Sequence, residues 1–395
     1  MRGVYVLLLI SLLGYTGRVS GQESVTITQC YEWARANYPQ IHQMGLIDQT
    51  ERYSLSNVGK AWLPQLSVSG KASYQSDVTK LPLDGDKISS LLPGFEIPSL
   101  SKDQYQVVAQ VDQTIWDGGS TRSARALTRA EAIANREQLE SELYALNDRV
   151  NQIYFGCLLQ DELIRQNALL QKELQVNIER IEAMMENGVA NQSDLESMEV
   201  ELLNARQNEI ELKASRTVYR QMLATFINKP LTDQVVLKTP ESPERSLSTQ
   251  INRPELRALD AKSEWIETQN KQVTAGLMPR IGAFVQGGYG RPGLNMLEDS
   301  FEPYYVAGVR LSWNLGKLYT LKNDRRKIEV SRRQIDVQRE TFLFNTRLQL
   351  LQQNTEIKKM TDLMRADDDI IRLRTSIKQA AEVKLENGVI SVTDL

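Results

Sequence analysis

The chain carries few of the residues on which chemistry usually depends. Its 395 residues include two cysteines and one histidine, too few for a disulfide scaffold or a zinc site of Cys and His ligands. Lys+Arg 47 nearly balance Asp+Glu 50, so no excess of positive charge exists to hold nucleic acid. Twelve prolines and 22 glycines are few for this length and imply long regular elements with few loops. No HExxH, GxSxG, phosphate-binding Gly-Lys loop or metal-spaced Cys/His set occurs, so neither an enzyme nor a cofactor is expected. With 41% hydrophobic residues the chain still has the means to bury a core.

Residues 1–21 read as a secretory signal peptide. Arg2 supplies the positive start, Val4–Leu13 is an apolar run broken only by Ser11, and Val19-Ser20-Gly21 offers small residues for cleavage. The run is shorter than the ~20 residues of a spanning helix; an uncleaved anchor is the alternative. Cys30 lies nine residues beyond Gly21, so no lipid anchor is expected at the cut. No later run is long and apolar enough to cross a membrane as a helix, which leaves β-strands as the way into one.

The same plan is written twice. Asn37-Tyr38-Pro39 is matched by Asn252-Arg253-Pro254, and a second proline follows each by 25 residues, at Pro64 and Pro279. Two strand-like segments come next, ending at Trp116 and Trp313, each three residues before a glycine, Gly119 or Gly316. A long helical stretch then closes in Glu186-Asn187-Gly188-Val189 with Asp194-Leu195, and in Glu386-Asn387-Gly388-Val389 with Asp394-Leu395. Five landmarks in one order define a first repeat over 22–229, a connecting equatorial segment over 230–251 and a second repeat over 252–395.

Each repeat mixes two periods. Leu66, Val68, Gly70, Ala72 and Tyr74 alternate with Ser67, Ser69, Lys71, Ser73 and Gln75. Tyr105–Val111 and Tyr305–Trp313 alternate likewise, while Ile281–Tyr289 is less regular, with Phe284 on the polar side. Strands of about 10 residues with one apolar and one polar face fit an outer-membrane barrel. A soluble sheet with one wet face is the alternative. The aromatics at strand ends, Tyr74, Tyr105, Trp116, Tyr289, Tyr304 and Trp313, read as an interfacial girdle and favour the barrel. Lys71, Asp112 and Arg310 fall on the polar, lumen side.

The helical stretches run 68 residues between Gly119 and Gly188, broken only by Gly156, and 71 between Gly316 and Gly388. Apolar residues at 139, 143, 146, 150, 153 and 157 step by fours and threes, the period of a coiled coil. Leu195, Met198, Leu202, Ala205 and Leu212 continue it after the turn. The fold class expected is mainly α with membrane β: a duplicated unit of long coiled-coil hairpins plus four strands. Four strands cannot close a barrel, and an open edge is not tolerated in lipid. Three copies would give 12 strands, an even number in the known range.

These residues resemble the TolC-like outer-membrane efflux proteins of Gram-negative bacteria. Ala36-Asn37-Tyr38-Pro39 is similar to the family's opening helix, Leu63-Pro64-Gln65-Leu66 to the start of its first strand, and Trp116-Asp117-Gly118-Gly119 to its strand-to-helix signature. The resemblance runs from about Val25 to Leu395. It implies a homotrimer with a 12-stranded outer-membrane barrel and an α-helical periplasmic tunnel. It also implies a periplasmic adaptor, or membrane fusion protein, and an inner-membrane transporter of RND or ABC type as partners. Family members continue from the second tip into a further helix, so a chain ending at Leu395 reads as a fragment lacking it. The tyrosine and arginine that close the tunnel in a well-known relative fall at Leu385 and Ile390, so that bonding scheme does not carry over.

From this reading, Gly188, Val189, Gly388 and Val389 are the expected adaptor-contact tips, the glycines also serving as helix caps. Asp194 and Asp394 are candidate gate residues, with helix capping as the alternative. Arg325-Arg326-Lys327 and Arg332-Arg333 read as solvated helix charge, with lipid headgroups as another use. Two buried free thiols are expected at Cys30 and Cys157. The function expected is passive export through an outer-membrane channel opened by an adaptor. A periplasmic coiled-coil adaptor and a poreless envelope protein are the rivals.

Overall fold

The computed structural model describes residues 24–79, 100–241, 251–296, 298–386 and 389. The expected signal peptide, Gly388, Asp394 and residues 242–250 of the connecting segment 230–251 lie outside the described residues. The chain forms two compact units. One draws on residues up to 43, from 140 to 252 and from 343 onward; the other on 44–139 and 253–342. Each unit thus takes segments from both sequence repeats.

In the first unit a two-residue strand β1 (Ser24–Val25) pairs in parallel with β4 (Val236–Leu237). Helix α1 (Ile27–Asn37) starts in a capping box: the Thr26 hydroxyl accepts from Gln29 N–H while the Gln29 amide oxygen accepts from Thr26 N–H. It packs on two long helices, α4 (Leu146–Glu186) and α5 (Gln192–Ile227). The core gathers Val25, Ala34, Val150, Ile153, Leu223 and Ile227 with both cysteines. Tyr154 ties the ladder down, its hydroxyl 2.9 Å from the Val25 carbonyl and 2.6 Å from that of Lys238. Arg220, buried on α5, donates to the carbonyls of Thr232 (2.8 Å) and Val235 (2.6 Å), clamping the segment that becomes β4.

The expected coiled-coil stripe is buried at every position from Leu139 to Cys157. The helical stretch expected to run unbroken save at Gly156 between Gly119 and Gly188 is two helices, α3 (Ser120–Tyr144) and α4, which meet at Ala145. Gly156 is not the break. It lies inside α4, where a Cβ would stand 2.5 Å from the Tyr219 ring, so the missing side chain lets α5 approach. Helix α7 (Lys317–Glu386) is a single 70-residue element, and from 349 to 380 every residue of it is exposed.

The second unit carries the strands. Helix α2 (Gln43–Gly59) leads into β2 (Gln65–Tyr74); β3 (Asp103–Trp116) leads into α3; α6 (Pro254–Ala275) leads into β5 (Arg280–Arg291); and β6 (Glu302–Ser312) leads into α7. The four strands form one antiparallel sheet in the order β2-β3-β5-β6. Ile266, Ile328 and Ile335 bury a small core between α6 and α7 with Trp265 and Val273. No helix among the described residues is long and apolar enough to cross a membrane.

Candidate functional site: a two-faced sheet and a helical tip

The ladder registers put the alternation of all four strands in phase. Leu66 faces Val111, Val68 faces Ala109, Val107 faces Tyr289, Val285 faces Ala307 and Ile281 faces Leu311. One side of the sheet is therefore continuously apolar, and it is bare: Leu66 is 71% exposed, Val309 69% and Tyr305 80%. A solvent-facing apolar sheet of this extent is unfavourable in water and is what a lipid-facing strand presents.

The other side is polar. Asp112 and Arg310 lie 3.7 Å apart across β5, and the Arg310 guanidinium stands 4.8 Å from the Phe284 ring centroid. That cation–aromatic contact accounts for Phe284 on a nominally polar side. Together with Arg280, Asp117 and Thr121 these groups line a cavity of about 290 Å³. Lys71 is exposed on the same side, opposite Gln106.

The six girdle aromatics do not share one face. Tyr74, Tyr105 and Tyr289 are on the apolar side, the last two within stacking range of Phe301. Tyr304 is on the polar side, bonded to Gln106, and its neighbour Tyr305 is the one on the apolar side. Strand parity is the reason, since 304 shares the face of Arg310. Trp116 would by parity be polar as well. A β-bulge between Thr114 and Trp116 turns it to pair with Ile281 on the apolar side. Trp313 is exposed, its indole N–H donating to the Leu277 carbonyl at 2.9 Å.

The two Trp-x-x-Gly landmarks are strand-to-helix turns of one design. Asp117 Oδ1 accepts from Gly119 N–H (2.9 Å) and Oδ2 from Thr121 N–H (2.6 Å). Asn314 Oδ1 accepts from Gly316 N–H at 3.1 Å in the second copy. Burial pushes the Asp117 carboxyl upward, but the hydrogen bonds from Thr121 and Gly119 outweigh it and hold it below the ordinary range. Gly118 has φ +68°, and a Cβ there would meet Met278 Cβ at 2.5 Å.

The tip between α4 and α5 is a Schellman turn. Gly188 (φ +72°) donates to the Met185 carbonyl and Val189 to that of Met184, both at 2.9 Å. Val389 repeats the second bond, to Lys384, at 2.9 Å. Val189 and Val389 are exposed. Asp194 is engaged in a capping box, its backbone N–H donating to Asn191 Oδ1 (3.0 Å) and its carboxylate accepting from Asn191 N–H (3.3 Å). Ile181 and Leu385 form a buried contact beside Met184, Met185 and Met198, so the lower end of α7 rests on this hairpin. Lys378 pairs with Glu173 nearby. No sequence signal marked that contact, because it joins residues 205 apart on two different helices.

Among the described residues no group of His, Cys, Asp and Glu could hold a metal ion. Among curated proteins none matches the sequence. Solved structures do. CusC, described with respect to folding and transmembrane channel formation, superposes with a TM-score of 0.61 over 92% of this chain and 83% of its own, at 14% identity. The outer membrane protein VceC from Vibrio cholerae gives 0.55 over 93% and 87%, at 14% identity. The Campylobacter jejuni outer membrane channel CmeC gives 0.59 over 93% and 78%, at 12% identity. At such identities the likeness is one of fold. The profile of the outer membrane efflux protein family matches residues 30–229, half of the chain, and the chain belongs to that family.

Proposed function

We propose that the chain is one protomer of a trimeric outer-membrane exit duct that works with a periplasmic adaptor and an inner-membrane RND or ABC transporter. The observation that carries this reading is the four-stranded sheet. Its apolar face is bare, and among the described residues its outer strands β2 and β6 each leave an edge unpaired. Both features are unstable in a lone chain. Three copies joined edge to edge would close 12 strands, put the bare face in lipid and turn Lys71, Asp112 and Arg310 toward a polar lumen. The four girdle positions nearest the strand ends, Tyr74, Tyr105, Tyr289 and Tyr305, would then sit with Trp116 and Trp313 at the two membrane interfaces.

The chain supplies a conduit and no energy. Gly188, Val189, Gly388 and Val389 form the surface an adaptor would meet end-on. Asp194 and Asp394 would lie close to the constriction, where carboxylates select by charge sign. Opening is a population shift: an adaptor that contacts the tips better in the open arrangement favours it by that difference.

The test is the full chain folded in detergent, sized by light scattering and imaged by electron microscopy, then placed in a planar bilayer. Three chains per particle with a detergent belt and discrete conductance steps are the expected result. A water-soluble monomer or dimer without conductance would overturn the reading in favour of a periplasmic spacer or adaptor.

A further inference from the structure

We infer that the helix ends next to the sheet form a cationic collar that binds the phosphates of anionic phospholipid at the membrane surface, an inference resting on the sheet being the membrane-spanning element. All four helices of the second unit meet the same end of the sheet, where Gln65, Trp116, Arg280 and Ser312 lie. Basic charge collects there. Over residues 120–130, α3 carries Arg122, Arg125 and Arg129 and no carboxylate; over 317–328, α7 carries five Lys and Arg against Asp324 alone. Lys60, just past the end of α2, Lys271 on α6 and Arg280 on β5 add to them. The whole chain is nearly balanced at 47 against 50, so this is local segregation.

Three further observations separate it from ordinary helix charge. Every one of these basic side chains is exposed, and none makes an ion pair among the described residues. Farther from the sheet Arg136, Arg332 and Arg339 each hold a carboxylate. The placement also opposes the helix dipole. Neither α3 nor α7 has an acidic residue in its first turn; the Asp117 carboxylate caps α3 from just ahead of it, while Arg122 and Lys317 stand in the first turns, where cations are disfavoured. Finally, three of the chain's five tryptophans, Trp62, Trp116 and Trp313, stand exposed between the bare apolar face and this charge. Apolar strand, tryptophan belt, then unpaired cations is the order of environments across a bilayer surface, from hydrocarbon to interface to phosphate.

The opposite end of the sheet differs. Residues 75–79, 100–103, 291–296 and 298–302 hold five carboxylates against Lys102 and Arg291, and their aromatics are Phe301 alone beside the strand-end tyrosines. The charge asymmetry gives the sheet a sense of direction in the membrane. A soluble anion would be met by the same guanidinium groups, but the adjoining tryptophans favour a phosphate that arrives with acyl chains.

The full chain is reconstituted in phosphatidylcholine vesicles containing a minor fraction of phosphatidylglycerol, with bromine placed on the acyl chains of one lipid or the other. Tryptophan quenching by brominated phosphatidylcholine reports that the sheet lies in lipid at all; its absence would defeat the proposed function itself. Excess quenching by brominated phosphatidylglycerol reports the collar. The expected preference for phosphatidylglycerol over phosphatidylcholine is roughly threefold or more at low salt, lost in high salt. It should vanish when Arg122, Arg125, Arg129, Arg325 and Arg326 are changed to Gln and survive when they are changed to Lys, with conductance showing that both variants fold. Equal quenching by the two lipids, or a preference unchanged in the Gln variant, would overturn the collar. So would loss of the preference to inorganic phosphate at matched ionic strength, because the ligand would then be the free anion.

Discussion

Two glycines side by side show how much a single hydrogen atom decides. Gly118 and Gly119 both have positive φ, +68° and +83°, yet only Gly118 has Met278 and Pro279 against the place of a Cβ. Gly119→Ala should cost about 1 kcal/mol of backbone strain. Gly118→Ala should cost that plus about 1–3 kcal/mol of overpacking. Thermal unfolding in detergent should rank the midpoints wild type, Gly119→Ala, Gly118→Ala; equal midpoints would mean that the turn relaxes away from Met278. The cysteines give a second prediction at this scale. Both are buried and free, and burial pushes each thiol up to about 11, with Cys157 adding to the effect at Cys30. A raised thiol pKa favours the folded state while the thiol stays protonated. Stability should be flat from neutral pH to about 9 and fall as pH rises toward about 11. A maleimide should label neither thiol at pH 7 until the protein is unfolded; labelling of native protein would place a cysteine outside the core.

At the scale of elements, what holds the small β1–β4 ladder is a side chain and not a sheet. Arg220 reaches two carbonyls at once; the Thr232 carbonyl keeps a second donor in Val235 N–H, but loss of the guanidinium would take its hydrogen bond from the buried Val235 carbonyl. Arg220→Met should destabilise the segment by about 2–4 kcal/mol. The readout is faster hydrogen exchange at Val236 and Leu237 and earlier tryptic cutting at Lys238. Protection equal to wild type would show that Tyr154 alone suffices. Elements were unevenly legible in the sequence. The stripe from Leu139 to Cys157 was readable because a coiled-coil period repeats over many turns, so one odd residue does not hide it. The strand faces were readable by parity, which should have excluded Tyr304 from the girdle at once. Trp116 was a different matter: one extra residue in β3 reverses its side, and no periodicity announces a single bulge. The β1–β4 pairing rests on tertiary contacts with no local pattern behind it, and no local pattern marks the break at Ala145. Asp194 was legible only as one of two readings, and its capping box with Asn191 is a local fact that leaves a role at a constriction to experiment.

For the whole molecule, the tips and the sheet should be separable. Val189→Asp with Val389→Asp alters exposed residues at a turn whose backbone bonds do not involve their side chains. The double variant should form trimers and conduct as wild type in a planar bilayer, yet fail to support export in cells by tenfold or more, on the order expected when an interface core residue becomes charged. Unchanged export would move the adaptor contact elsewhere on the helices. Loss of conductance as well would make the tips part of the folding core, as the buried Ile181–Leu385 contact makes their neighbours.

The unpaired edges of β2 and β6 have a consequence in heredity as well as in structure. On the proposed trimer, a protomer whose sheet is complete only when two siblings complete it would have no private function to lose. A defect in one allele or plasmid copy is thereby shared with every sibling it joins. If sound and faulty chains are made in equal amounts and mix freely in threes, only about one assembly in eight is free of the faulty kind. Mutations that spoil the sheet edge should be recessive, because such chains never join, whereas mutations that spoil the tip but spare the edge should be dominant.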